Sequence, residues 1–442
     1  MLSITKSLRV TTTALLTLPA MSIYNEDELT APEWIDRDFI QMVLAKYEQV
    51  ADVELISYDM SPACMKGDHY ASIMFRCKVE YRLGDSIVKR SLIMKTLPVE
   101  EDSKKREFLM NSKLFETEIK MYCETLPKFE KILAECGEPT KLSAGLFYHA
   151  LQPHKILIME DLCELGYSTV RARYLTEHEL KVVYTKLAKL HAVSYMLGQN
   201  DEELESVAQF QDGFLATSLP VVKDMMISGM KSFLKMLSSR QQFAIYVDKV
   251  QVISEEMQQS CKDLFNAYKL NGNKGDIFVL NHGDFHMRNM MFKFNSEESA
   301  EDMLMVDYQI SCYAPSCIDL IYSQFIIMSP AMRLQRRHAM VRYYFTEFLR
   351  ILKKLNFEGD LPKYSLFQQS TLKYRHFAIY CLGVFLPLVL GFLTKTAEEL
   401  KDVNAAEVSE NPDSNSHLYY TPEFIAEVEN FMPLLLDEGY LD

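Results

Sequence analysis

The sequence lacks the cysteine pattern of a secreted or zinc-stapled domain. Its nine cysteines are an odd number and show no repeated spacing. Cys312 and Cys317 form the nearest pair, yet no His or further Cys completes a zinc-binding pattern around them. Reduced thiols without a disulfide framework are therefore expected, which favours a cytoplasmic protein.

Positive charge and glycine are also scarce. Lys and Arg total 47 against 61 Asp and Glu, giving a formal net charge of −14 over 442 residues. That surplus of negative charge disfavours nucleic acid as a partner, although a few lysines can still form a local phosphate site. With 15 glycines, the chain contains neither G-x-G-x-x-G nor G-x-x-x-x-G-K-[ST].

Two segments resemble targeting or membrane sequences. Residues 1–24 contain Lys6 and Arg9, no acid and many Ser and Thr. We interpret residues 1–25 as a flexible extension, with a cleaved leader as the alternative. Residues 377–394 are almost wholly apolar, but glycines, a proline and the absence of a consistent basic flank favour a buried core helix over a membrane span.

Hydrophobic periodicity divides the chain into two parts. Between Ala71 and Tyr81, apolar and polar residues alternate with the period of a half-buried strand, and similar runs flank this segment. One helix is predicted over Ser112 to Leu126. Beyond Asp161 the spacing becomes helical, except for a short β island at residues 277–307. The predicted fold is α+β and two-lobed, with a small β-rich N-lobe (residues 26–160) and a large helical C-lobe (residues 161–442).

The sharpest motif is the loop His282-Gly283-Asp284-Phe285-His286-Met287-Arg288-Asn289, which lies between two apolar strand-like runs. Phosphoryl transfer needs a carboxylate that accepts the proton of the attacking hydroxyl, and an amide that helps to hold the metal. Asp284 and Asn289 are spaced to supply both groups at one cleft. A polar turn with two capping residues is the less favoured alternative.

A second carboxylate, Asp307, ends the buried run Met303 to Val306. A carboxylate at such a strand end is costly unless it is paired or bound to a metal. A hairpin would bring Asp307 opposite Asn289, and we predict that the two residues share a Mg²⁺ ion. Taken alone, Asp307 could instead be an Asx-turn residue.

The N-lobe offers a phosphate-binding lysine. Lys95 ends an apolar strand, and Glu118 interrupts an apolar helix face formed with Phe115 and Tyr122. Burying an unpaired charge at either position would cost folding free energy. A Lys95–Glu118 ion pair is therefore predicted, with the lysine directed at nucleotide phosphates.

Two further segments complete the predicted nucleotide site. The hairpin turn that contains Gly67, Asp68, His69 and Tyr70 would lie over the phosphates, although by itself it is an ordinary turn. The segment Glu160 to Leu162 would supply the backbone amide and carbonyl that bind the adenine edge, which makes Glu160 and Leu162 cofactor-binding candidates.

Together these residues resemble the ecdysteroid kinase-like family of insects, within the choline and aminoglycoside kinase-like group. The matching segments are Lys66-Gly67-Asp68, Leu92 to Pro98, Phe115-x-x-Glu118-x-x-x-Tyr122, Ile158 to Leu162, Leu187 to His191, His282 to Asn289, and Asp307-Tyr308-Gln309 with Ala314-Pro315-Ser316 and Asp319-Leu320. The resemblance spans roughly Glu26 to Met432.

The resemblance implies ATP- and Mg²⁺-dependent phosphorylation of a small alcohol, such as an ecdysteroid, in hormone inactivation or detoxication. It assigns Asp284 as base, Asn289 and Asp307 as metal ligands, and Lys95 with Glu118 as the phosphate clamp. Gly283 stands where protein kinases carry Arg, Asp307-Tyr308-Gln309 lacks the Gly of Asp-Phe-Gly, and no Ala-Pro-Glu follows. These departures disfavour a protein substrate. The alternative is a catalytically silent protein of this fold that binds a lipophilic ligand. The sequence leaves the oligomeric state open.

Overall fold

The computed structural model describes residues 28–63, 72–98, 104–215, 220–393 and 412–442. The predicted N-terminal extension and the candidate loop residues Gly67, Asp68, His69 and Tyr70 lie outside these ranges. Within them, the fold is the predicted one: a lobe built on an antiparallel sheet precedes a helical lobe that carries two small sheets.

The N-lobe is built on a five-stranded antiparallel sheet with strand order β1-β2-β3-β5-β4. Its strands are β1 (Val53–Pro62), β2 (Ile73–Leu83), β3 (Ser86–Thr96), β4 (Leu146–Ala150) and β5 (Ile156–Glu160). Strand β2 buries every second residue, as its alternating sequence predicts. Strands β3 and β5 pair with Lys95 opposite Leu157, so the candidate lysine lies on a central strand.

Helices cover both faces of this sheet, whereas the sequence pattern predicted only one helix in the lobe. The additional helix, α1 (Arg37–Glu48), starts at Asp36, whose side chain accepts a hydrogen bond from the Phe39 amide. The helix predicted over Ser112 to Leu126 extends further, and it consists of α3 (Leu114–Lys120), a π-helical turn (Met121–Thr125) and α4 (Leu126–Glu135). A separate short helix, α2 (Lys104–Asn111), precedes it. Helix α3 buries Phe115, Glu118 and Ile119.

The C-lobe packs long helices around the short strands that carry the predicted catalytic loop. Its strands are β6 (Tyr167–Thr169), β7 (Phe278–Asn281), β8 (Met290–Phe294), β9 (Ala300–Met305) and β10 (Cys312–Pro315). Its helices begin with α5 (Glu177–Gly198), α6 (Glu205–Ala208), α7 (Pro220–Ser238), α8 (Ala244–Phe265), α9 (Ala267–Asn271) and α10 (Cys317–Ile326). They continue with α11 (Pro330–Gln335), α12 (Arg337–Lys354), α13 (Tyr364–Lys373), α14 (Arg375–Tyr380), α15 (Leu386–Leu388) and α16 (Pro422–Asp437).

The apolar run near residue 380 lies in the C-lobe core, where most of its side chains are buried. It contains π-helical turns at Cys381–Phe385 and Val389–Leu393. Among the described residues, no single helix has both the length and the apolar composition needed to cross a membrane. Tyr364–Lys373 and Arg375–Gly391 meet those criteria only as a pair, and the two are bent by 64°.

Candidate active site

The predicted catalytic loop joins β7 to β8. Strand β7 pairs with β10, and β8 pairs with both β6 and β9, so the loop leaves a region fixed by two sheets. The loop turns at Gly283, whose φ of +86° is accessible to glycine at little cost. A Cβ atom at Gly283 would lie 2.3 Å from the carbonyl oxygen of Ile310. The glycine is therefore required both by the turn and by the close approach of this neighbouring segment.

The Asp284 carboxylate is held from both sides. Asn289 Nδ2 donates to Asp284 Oδ2 over 3.1 Å, and His286 Nε2 lies 3.3 Å from the same oxygen. The hydroxyl of Tyr322 donates to Oδ1 over 3.3 Å. Burial alone would raise the pKa of Asp284, but the nearby imidazoles of His286 and His282 and the amide of Asn289 lower it to about 2. Asp284 is therefore ionised at neutral pH, and its side chain keeps 24% of its surface exposed.

Buried Asp319 fixes the backbone of the predicted catalytic loop. Its carboxylate accepts the amide protons of His282 over 2.7 Å and of Gly283 over 2.9 Å. His191 lies 3.3 Å from the same carboxylate and contacts Tyr344 through its other ring nitrogen. Buried His191 therefore also belongs to the polar network that holds the loop.

His282 braces the loop from inside. Its Nε2 donates to the carbonyl of Val306 over 3.0 Å, while its Nδ1 accepts the amide proton of Asp284 over 3.3 Å. Burial lowers the pKa of His282 in spite of the surrounding carboxylates, so the neutral ring with its proton on Nε2 satisfies both contacts.

The predicted hairpin brings Asp307 to the loop. Strands β8 and β9 pair antiparallel, and the amide of Val306 donates to the carbonyl of Asn289 over 3.0 Å, one residue before Asp307. Asp307 itself has a φ of +65°, a left-handed conformation that is uncommon for a residue with a side chain. Strained residues of this kind tend to occur at functional sites.

Lys95 joins the two lobes at this point. Its ammonium donates to Glu118 Oε2 over 2.6 Å and to Asp307 Oδ1 over 2.8 Å. The predicted Lys95–Glu118 ion pair is therefore present, and it is buried. Burial would lower the pKa of Lys95, but the two carboxylates raise it above its ordinary value. Burial also raises the pKa of Glu118, which Lys95 offsets only in part.

The donor set suits a hard divalent cation that is also bound by phosphate. Among the described residues, no group of three His, Cys, Asp or Glu side chains could hold a metal by itself. Asn289 directs its amide nitrogen at Asp284, which leaves its oxygen for a metal, and the side chain of Asp307 is 21% exposed. Two protein oxygens completed by water and phosphate oxygens are the usual environment of Mg²⁺.

The segment between the lobes is held by a carboxylate that the sequence prediction missed. Asp161 is buried and accepts hydrogen bonds from Arg76 Nε over 2.6 Å, Ser91 Oγ over 2.7 Å and the Cys163 amide over 3.1 Å. These contacts fix the backbone on either side, at Glu160 and Leu162, next to strand β3. In the sequence, a charged residue that directly follows an apolar strand could have indicated this role of Asp161.

Tyr322 is the second site residue that the sequence prediction missed. It lies three residues after Asp319 on α10, so both side chains share one helix face directed at the catalytic loop. The sequence shows this spacing, but the spacing identifies Tyr322 as a site residue only when α10 is known to pack beside Asp284.

A protein-family match supports the interpretation of the site. Residues 66–357 match the ecdysteroid kinase-like family. The chain belongs to this family. The match covers about two thirds of the chain, less than the span of the resemblance at Glu26 to Met432. No curated protein matches this ecdysteroid kinase-like chain.

Two solved structures of one enzyme resemble the ecdysteroid kinase-like chain at low sequence identity. Spectinomycin phosphotransferase APH(9)-Ia in complex with ADP and spectinomycin has a TM-score of 0.41 and 13% identity, covering 89% of this chain and 98% of its own. The AMP-bound complex of the same enzyme has a TM-score of 0.33 and 13% identity, and the match covers 78% of this chain and 91% of its own. A likeness at this level transfers neither a ligand nor a residue role.

Proposed function

We propose that this member of the family transfers the γ-phosphoryl group of ATP to a hydroxyl of an ecdysteroid-like or other lipophilic alcohol. The observation that carries the proposal is the contact between Lys95 of the N-lobe and Asp307 of the C-lobe, which lies beside Asn289 and the ionised Asp284. A phosphate clamp, a pair of metal ligands and a base would thus lie together where residues 26–160 meet residues 161–442.

In the proposed reaction, Asp284 accepts a hydrogen bond from the acceptor hydroxyl and orients its oxygen towards the γ-phosphorus. The new O–P bond forms as the bond to the ADP oxygen breaks, and the hydroxyl proton passes to Asp284. Lys95, held by Glu118, places its positive charge at the phosphates. Asn289 and Asp307 would hold Mg²⁺, which neutralises phosphate charge when bound.

The nucleotide base would bind at the linker between the lobes. The backbone of Glu160 and Leu162 is the proposed partner of the adenine edge, because Asp161 holds this segment beside the strand that carries Lys95. The loop with Gly67, Asp68, His69 and Tyr70 is proposed to cover the phosphates, as the resemblance implies.

The direct test is phosphate transfer from labelled ATP with Mg²⁺ to a panel of ecdysteroids, choline and plant-derived alcohols. Wild-type protein should phosphorylate at least one lipophilic alcohol. Asp284→Asn should keep ATP binding and lose transfer by at least 10²-fold, on the order expected for a lost general base. A protein that binds ATP but phosphorylates none of these acceptors would instead favour the silent ligand-binding alternative.

A further inference from the structure

A partly exposed aromatic surface lies beside the catalytic carboxylate. Tyr322, which donates to Asp284 Oδ1, packs perpendicular to the ring of Phe385 at a centroid distance of 5.1 Å. Phe385 also contacts Tyr380 at 4.9 Å and Phe214 at 6.0 Å. Phe385 and Phe214 nevertheless remain partly exposed. The rings are thus fixed by each other while still presenting apolar surface.

A helix irregularity places Phe385 in this position. The turn Cys381–Phe385 is π-helical, and the Leu386 amide donates to the carbonyl of Cys381, five residues earlier. Such a turn inserts one residue into the helix and changes the direction of the side chains that follow; π-turns occur frequently at functional sites. Helix α7 packs closely against this turn, because a Cβ at Gly383 would lie only 2.8 Å from the ring of Phe233.

Phe214 is positioned beside Phe385 by contacts with a different element, strand β10. The segment around it follows β10: the Tyr313 amide donates to the carbonyl of Phe210 over 2.7 Å, and a Cβ at Gly213 would lie 2.8 Å from Cys312 Sγ. Cys312 pairs with Asn281, three residues before Asp284. The catalytic loop and the Phe214 segment therefore flank the same β10 strand.

We propose that Phe385 and Phe214 form the wall of the acceptor site, against which the ring system of the proposed lipophilic alcohol lies with a hydroxyl at Asp284. The inference rests on the proposed function and specifies where its acceptor binds. An apolar ring system gains from the burial of its surface against the wall.

The arrangement of the rings disfavours a quaternary ammonium acceptor. Such cations bind inside a cage of aromatic faces that surround a void. Here the contacting rings lie 4.9–6.0 Å apart, so no ammonium group fits between them. The two rings that remain partly exposed, Phe385 and Phe214, instead present apolar surface against which a rigid ring system can pack.

The test compares Phe385→Leu with Phe357→Leu in the full-length protein. Phe357 is also a partly exposed ring, packed edge-on against Tyr195 at 5.5 Å in another part of the C-lobe, which makes it a matched control. Calorimetric Kd values for an ecdysteroid and for choline are measured without ATP. The Kd for ATP and, where transfer occurs, KM and kcat for the same alcohols are measured as well.

Phe385→Leu should raise Kd and KM for the ecdysteroid roughly 3- to 10-fold and leave the affinity for ATP unchanged. Phe357→Leu should change neither the Kd nor the KM for the ecdysteroid. The wall is ruled out if the ecdysteroid does not bind, if both variants act alike, or if choline binds and loses affinity to the same extent. If ecdysteroid binding depends on Phe385 but no phosphate is transferred, the proposed function is contradicted and the wall of the ligand site is supported.

Discussion

Lys95 and Asp307 are 212 residues apart in the chain, yet the ammonium of one lies 2.8 Å from a carboxylate oxygen of the other. This contact ties the central strand of the N-lobe sheet to the strand end that follows the catalytic loop. Because Glu118 binds the same ammonium, one lysine holds two carboxylates that would otherwise repel each other.

Replacing Lys95 by methionine should therefore affect both stability and catalysis. The substitution leaves Glu118 and Asp307 without their shared cation, which should cost about 3–5 kcal/mol of unfolding free energy. Lys113→Met is the matched control, because its pair with Asp212 is largely exposed and should contribute less than about 1 kcal/mol. Urea denaturation and transfer assays measure both effects; equal stability losses in the two variants would contradict the structural role of Lys95.

Substitution of Gly283 by alanine should misplace the catalytic loop. The positive φ costs about 1–3 kcal/mol in any L residue, and the Cβ additionally meets the Ile310 carbonyl. We expect kcat to fall on the order of 10²-fold, because displacements near 1 Å have that effect. Gly84→Ala is the control, since its φ is +58° but no atom lies within 4 Å of the added Cβ. Kinetics that change equally in both variants would show that the close contact is unimportant.

Asp319→Asn should weaken the loop without touching the reacting groups. An asparagine has one accepting oxygen, so at least one of the two loop amides, at His282 or Gly283, loses its partner at a cost of about 1–3 kcal/mol. We expect kcat to fall while the affinity for ATP changes little. Asp276→Asn removes a comparably buried carboxylate, bound by Lys373 and Tyr374, and should lower stability with unchanged kcat. An unaltered kcat in Asp319→Asn would contradict the prediction.

The Asp284–His286 pair should make stability depend on pH at both ends of the range. Burial lowers the pKa of His286, but Asp284 outweighs it and raises the pKa, so this stabilisation is complete below about pH 6.5 and is lost as the pH rises through the raised value. The depressed pKa of Asp284, about 2, adds stability that is present above about pH 4 and is lost as the pH falls towards 2.

The measurement is the difference in unfolding free energy between wild type and His286→Gln, obtained from urea denaturation at several pH values. The difference should be larger at pH 5 than at pH 8.5. A difference independent of pH between these values would show that the pair is not ionic in the folded protein.

Much of the fold follows from local patterns. Alternation along β2 predicted a half-buried strand, and the change to helical spacing after Asp161 predicted the second lobe. Helix α1 escaped prediction, since its apolar stripe is short and belongs to a core shared with the sheet. Periodicity reports which face of an element is buried, and it carries little information about what covers that face.

The sequence by itself determined that Asp284, Asn289 and Asp307 lie close together, because they occur within one loop and one hairpin, where spacing fixes proximity. It also determined the Lys95–Glu118 pair, through the cost of burying either charge alone. Only the tertiary structure decided that Tyr322 contacts Asp284, that Asp161 holds the linker and that Phe385 packs against Tyr322. Those contacts join elements far apart in the chain, and their partners are set by the packing of whole helices, which no local pattern encodes.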